Sequence, residues 1–197
     1  MKSLHALRSA AFLVAASLFA AVASAQTSTW KIDPVHSGIE FRVLHLGVSH
    51  VSGSFSKVTG VVHLDDKDIT HSKVDAAIDV STLNTNEPKR DDHLKSPDFF
   101  NLAQFPTITF KSTSVSKVGD KLQLTGDLTL AGVTKPVTLT VDGPAAPQKG
   151  MGGAIVSGFS ATGTLSRKDF NFGQKFVAPM LGDDVTFTID IEMDKQQ

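Results

Sequence analysis

Cysteine and tyrosine are both absent from this 197-residue chain, and tryptophan occurs once. Without thiols there is no disulfide framework and no thiolate metal site, so the fold has to rest on core burial. No run of Lys or Arg occurs, and 19 basic residues stand against 20 acidic ones, which makes nucleic acid a poor partner. The catalytic frames are missing too: no H-E-x-x-H, no H-x-H and no serine in a G-x-S-x-G elbow. Asp65, Asp66 and Asp68 resemble a calcium loop only loosely, because Thr70 stands where that loop needs glycine. Turn solvation is the better account of them, and catalysis has no positive support.

Long apolar runs are missing except at the N-terminus. Lys2 and Arg8 precede an apolar stretch from Ala10 to Val22, broken only by Ser17 and too short to span a bilayer comfortably. Ala23-Ser24-Ala25 then offers small residues at both cleavage-determining positions. Residues 1–25 read as a secretory signal peptide, cleaved after Ala25, rather than a retained anchor. The remaining 26–197 suit one domain. Removing Lys2 and Arg8 leaves 17 basic against 20 acidic residues, a net charge near −3. An exported chain without disulfides fits the periplasm.

What fills the domain is alternation. Leu122, Leu124, Leu128 and Leu130 share one parity, and Val137, Leu139 and Val141 repeat the pattern against Thr138, Thr140 and Asp142. Ile39, Phe41 and Val43; Val74, Ala76 and Ile78; Phe159, Ala161 and Leu165; and Val185 through Met193 behave alike. Period-two patterning predicts half-buried antiparallel strands. Residues 51–64 are strand-like, with an ambiguous register. Eight or so such strands form either a sandwich or a closed barrel. A membrane barrel needs aromatic girdles, which one tryptophan and no tyrosine cannot supply, so the apolar face points inward.

Asn86 to Phe105 breaks the alternation. Asn86 is placed to cap a short helix with Pro88 in its first turn, and Ser96-Pro97-Asp98 to start a second. Pro106 stops continuation. Phe99, Phe100 and Phe105 are expected to pack this insertion onto the strands. Phe170, Phe172 and Phe176 cluster in a loop before the last strand, where they either plug the end of the structure or gate it. Residues 142–154 form a Pro/Gly-rich loop. Gly126 and Gly163 sit on inward parity, where a missing side chain either lets a strand bend or leaves empty volume.

Several stretches carry a resemblance. "WKIDPVHSGIEFRVLHLG" (30–47), "RDDHLKSPDFFNLAQFPTITF" (90–110), "GDLTLAGVTKPVTL" (126–139) and "SRKDFNFG" (166–173) resemble the YceI-like family of exported lipid-binding proteins, in order and across essentially the whole of 26–197. The resemblance implies an all-β, lipocalin-like extended antiparallel barrel with a short helical insertion. It also implies an apolar tunnel for a polyisoprenoid or the tail of an isoprenoid quinone, bound, sequestered or transported without chemistry. No cofactor is expected beyond that lipid, no metal and no stable membrane insertion; a homodimer is possible within the family pattern.

The expected tunnel lining is the inward set Ile39, Phe41, Val43, Ile78, Phe110, Leu124, Leu128, Leu139, Phe159, Phe187 and Ile189. Candidate polar contacts for a head group are His45, Arg90, Asp91 and His93. Each has a structural alternative: His45 as a hydrogen-bonded core histidine, the others as ties between a short helix and the strand ends. His36 is expected to fix the turn after Pro34. Two other functions compete with lipid carriage: a periplasmic stress or interaction protein acting through its surface, and, more weakly, an enzyme using His93 with Asp91.

Overall fold

The computed structural model describes residues 27–197; the expected signal segment, 1–25, lies outside the described residues. β1 (Thr27–Ile32) and β2 (Gly38–His45) run one after the other along the same edge of the last strand, β12 (Leu181–Lys195), with Ile32 opposite Met193 and Ile39 opposite Ile189. β3 (Ser49–Phe55) and β4 (Val58–Asp65) lie antiparallel to them, followed by β5 (Lys73–Asp79) and the two-residue β6 (Leu83–Asn84). Each of these pairs is one long strand with a break.

Helix α1 (Pro88–Lys95) leads into β7 (Thr107–Val118), β8 (Lys121–Leu130), β9 (Val133–Asp142), a short β10 (Gln148–Lys149) and β11 (Ile155–Ser166). β11 pairs with β9 on one side and, from Val156↔Asp194 to Ser166↔Asp184, with β12 on the other. That second pairing closes the sheet into an antiparallel barrel of eight long strands.

The breaks have local causes. Pro34 has no N–H to give the ladder, and the Ser37 hydroxyl substitutes, donating to the Glu192 carbonyl at 3.2 Å and accepting from its N–H at 3.1 Å. Asp33 accepts the Val35 N–H at 2.9 Å and His36 Nδ1 at 2.6 Å, which fixes the turn. Each break also switches the inward parity. Trp30 and Ile32 are buried before the first, Ile39 after it; Phe55 and Val58 are both buried on either side of the second. A single alternation therefore cannot be drawn through 51–64.

One end of the barrel is packed solid. Trp30, Ile32, Val58, Val62 and Met193 are at most 2% exposed, each contributing about 1.5–3 kcal/mol by burial. The indole N–H donates to Ser28 Oγ at 2.9 Å, so its polar edge is satisfied. β9 shows the pattern that runs through the wall: Val137, Leu139 and Val141 buried, Thr138, Thr140 and Asp142 exposed.

The insertion corrects two expectations. α1 forms with Pro88 in its first turn, but Glu87 is the cap, its carboxylate accepting the Lys89 N–H, while Asn86 adopts a left-handed φ of 61°. The second helix does not form. Ser96 Oγ accepts the Asp98 N–H, yet the chain makes only isolated turns before Asn101 reverses it at φ 49°. Phe99 and Phe100 are both buried; helical neighbours point about 100° apart, and the turns let both rings enter the core.

Candidate functional site

The other half of the barrel is hollow. A cavity of about 420 Å³ lies between the packed floor, which presents Ile32, Val58 and Ile191, and the end bearing the β2–β3 hairpin and α1. All eleven apolar residues named from inward parity border it: Ile39, Phe41 and Val43 from β2, Ile78 from β5, Phe110 from β7, Leu124 and Leu128 from β8, Leu139 from β9, Phe159 from β11, Phe187 and Ile189 from β12.

At Gly126 the wall does bend, because the β7–β8 register shifts between Ser112 and Ser114 opposite it, and at Gly53, Gly126 and Gly163 a ring takes the place of the missing side chain. A Cβ at Gly163 would fall within the ring of Phe187, one at Gly126 within Phe110, and one at Gly53 within Phe41. Phe187 is the registered partner of Gly163, and Phe41 that of Gly53. Each glycine lets a phenylalanine lie flat on the opposite strand, and rings that lie flat leave the middle of the barrel open.

Four polar side chains reach the cavity wall: His45, Arg90, His93 and Arg167. His45 sits at the exposed rim, so it is not a core histidine. Arg90 donates through Nε to Thr85 Oγ1 at 2.8 Å and through a terminal nitrogen to the Thr85 carbonyl at 2.7 Å. Asp91 is not part of the wall. Its carboxylate accepts from the Thr85 N–H at 2.9 Å and hydroxyl at 2.5 Å, because Thr85 ends the chain's run from β6 and needs both groups satisfied away from water. Arg90 and Asp91 therefore clamp one threonine, and Asp91 is a tie rather than a head-group contact. His93 stands edge-on to Phe99 and Phe176, with ring centroids 5.2 and 5.5 Å away, and its Nε2 lies 3.7 Å from Asp98.

The mouth is roofed by aromatics from two segments. Phe99 stacks on Phe176 at 5.1 Å, Phe172 meets Phe99 and Phe100 edge-on, and Phe100 continues to Phe55. Lys175 Nζ lies 2.6 Å from Asp98, holding the loop to the insertion. That bond, with His93 nearby, keeps the Asp98 carboxyl below its ordinary value against the opposing effect of burial. Phe170 is buried and lies off the cavity wall, so only Phe172 and Phe176 of that trio face the lumen.

Arg167 was not visible as a functional residue in the sequence. It is 2% exposed and spends every N–H: on the carbonyls of Gly182, Phe172, Gly173, Phe176 and Leu181 and on the Asp183 carboxylate. One planar fork thus holds both ends of the 171–181 loop. Nothing in "SRKDF" separates it from the exposed Lys168 beside it; the loop that buries it is the cause.

Two other features lie on the outer wall. A concavity of about 670 Å³ is lined by Thr138, Thr140, Thr162, Thr164, Thr186 and Thr188 with serines and asparagines, a water-compatible surface. Asp33, His36 and Glu192 bring ligand-type atoms within 4.8 Å of one another. There the Asp33 hydrogen bond, and then Glu192, raise the His36 pKa. Hydrogen bonding within the turn accounts for this group.

A YceI-like domain pattern matches residues 30–193. The chain belongs to the YceI family. It is 44% identical over 161 residues to Protein YceI of Escherichia coli O157:H7, covering 81% of this chain and 84% of that one. Among solved structures, the Campylobacter jejuni YceI protein superposes with a TM-score of 0.69 at 32% identity, covering 78% and 90%. A polyisoprenoid-binding domain from Saccharophagus degradans shares the fold at a TM-score of 0.63 and 14% identity, covering 85% and 98%. The YceI barrel is thus the frame in which the cavity has to be interpreted.

Proposed function

We propose that this protein binds an isoprenoid lipid in the hollow half of its barrel and sequesters or carries it, without chemistry on the ligand, in the periplasm. The observation that carries this reading is the hollow itself, walled by apolar side chains with its few polar groups gathered at one end. Family membership and the polyisoprenoid-binding relative point the same way.

The size of the space sets limits. At about 30 Å³ per water- or methylene-sized group, 420 Å³ takes on the order of fourteen groups, near three isoprene units. Burying them is worth roughly 11 kcal/mol at about 0.8 kcal/mol each, comparable with an association cost of about 4–15 kcal/mol. A longer tail has to reach past the aromatic roof or displace its rings. The head group then sits by His45, Arg90 and His93.

Titration with a dispersed prenol or isoprenoid quinone tests the reading. Saturable uptake is expected, abolished by Leu128→Arg in a variant that keeps its strand signature. Undiminished uptake by that folded variant would place the ligand elsewhere.

A further inference from the structure

Leu46, Val48, Val177 and Met180 stand in water around the open end, 53, 82, 63 and 50% exposed. They come from the β2–β3 hairpin and from the loop before β12, and these segments touch. The Leu46 N–H donates to the Met180 carbonyl at 3.2 Å, the Met180 N–H to the Val177 carbonyl at 2.9 Å, and Gly47 packs toward Pro179.

Two observations set this patch apart from scattered surface hydrophobics. Leu46 and Gly47 hold φ of 52° and 71°, the two left-handed positions of a tight hairpin turn, where Asn-Gly is the usual pair. A leucine there is strained, and at half exposure it recovers little through burial. The patch is also continuous with the cavity, since Met180 and His45 belong to its wall. Apolar surface thus begins inside the barrel and runs onto the rim. The exposed apolar rim borders the same lumen that would hold the ligand, an arrangement that suits an apolar medium at the mouth.

We propose that this rim docks on a lipid bilayer, so that a ligand passes between membrane and cavity without crossing water. The proposal rests on the carrier reading above.

Flotation with vesicles of phosphatidylethanolamine and phosphatidylglycerol tests it, alongside uptake of dispersed geranylgeraniol. Wild type is expected to float. V48D/V177D, neither residue lining the cavity, should lower the vesicle partition constant about tenfold, equivalent to about 1.4 kcal/mol, with uptake of the dispersed prenol unchanged. Leu46→Asn should also weaken flotation while raising the melting temperature, because asparagine accepts a left-handed φ. A wild type that takes up the prenol but ignores vesicles overturns docking and leaves the carrier reading intact. So does V48D/V177D floating like wild type, or changing only a monomer–dimer equilibrium. Normal flotation without prenol uptake supports docking and removes the carrier reading instead.

Discussion

Phe187 lies flat across Gly163, its registered partner on β11, in the place a Cβ would occupy. Phe41 stands in the same relation to Gly53, and Phe110, registered with Leu128, reaches across to cover Gly126. The hollow therefore depends on residues that have no side chain. Gly163→Val should drive the Phe187 ring into the lumen. Overpacking of this kind costs about 1–3 kcal/mol, and uptake should fall further than the loss of stability explains. Chemical denaturation paired with a ligand titration checks this; a folded variant with wild-type capacity would show that the ring has somewhere else to go.

Ligand length offers a second test. Affinity should climb steeply from one to about three isoprene units, by up to roughly 0.8 kcal/mol per added methylene-sized group, and flatten beyond. Calorimetry on a prenol series measures the slope. A uniform rise to much longer chains would mean that the cavity volume does not limit binding.

Arg167 is expected to be indispensable to the mouth. Arg167→Met strands five carbonyls and a carboxylate and should cost more than about 3 kcal/mol. Arg167→Lys should not rescue it, since three donors on a flexible stem cannot cover six acceptors. Thermal unfolding of both variants decides the point.

The Asp98 latch predicts an acid effect. Lys175 holds the Asp98 carboxyl below its ordinary value of 3.8, so the bond's contribution is present above that value and fades as pH falls through the lowered one. Ligand release should quicken in that acid range, and Asp98→Asn should quicken it already at neutral pH. Stopped-flow displacement follows both; equal rates in wild type and variant would remove the latch from the exit path.

His36 runs the other way. Its pKa is raised above 6.5 by Asp33 and Glu192, so the pair's stabilisation is complete below that value and is lost as pH rises through the folded one. The melting-temperature gap between wild type and His36→Gln should be larger at about pH 5.5 than at about pH 8.5.

Much of the wall was legible in the chain. β9 from Val137 and β12 from Val185 alternate without interruption, so inward parity placed Leu139, Phe187 and Ile189 on the lumen side. Residues 51–64 were not legible, because the break at Ser56–Lys57 switches parity and no local signal marks the switch. Hollow and solid halves look alike in sequence: Met193 and Leu124 obey the same alternation, one in the packed floor, the other on the cavity wall. Asp91 read as a site residue because charges near a helix attract that interpretation, while its partner, Thr85, carries no signal of its own. The flat rings were hidden for a similar reason. A glycine shows that a side chain is missing, and only the fold shows which neighbour uses the space.

The central claim is an apolar guest inside the barrel, and native mass spectrometry of the protein purified without detergent addresses it most directly. The account predicts one chain carrying one prenyl-type molecule, co-purified or acquired on addition, and lost in the Leu128→Arg variant. A protein that is bare as isolated and stays bare with excess isoprenoid would contradict it.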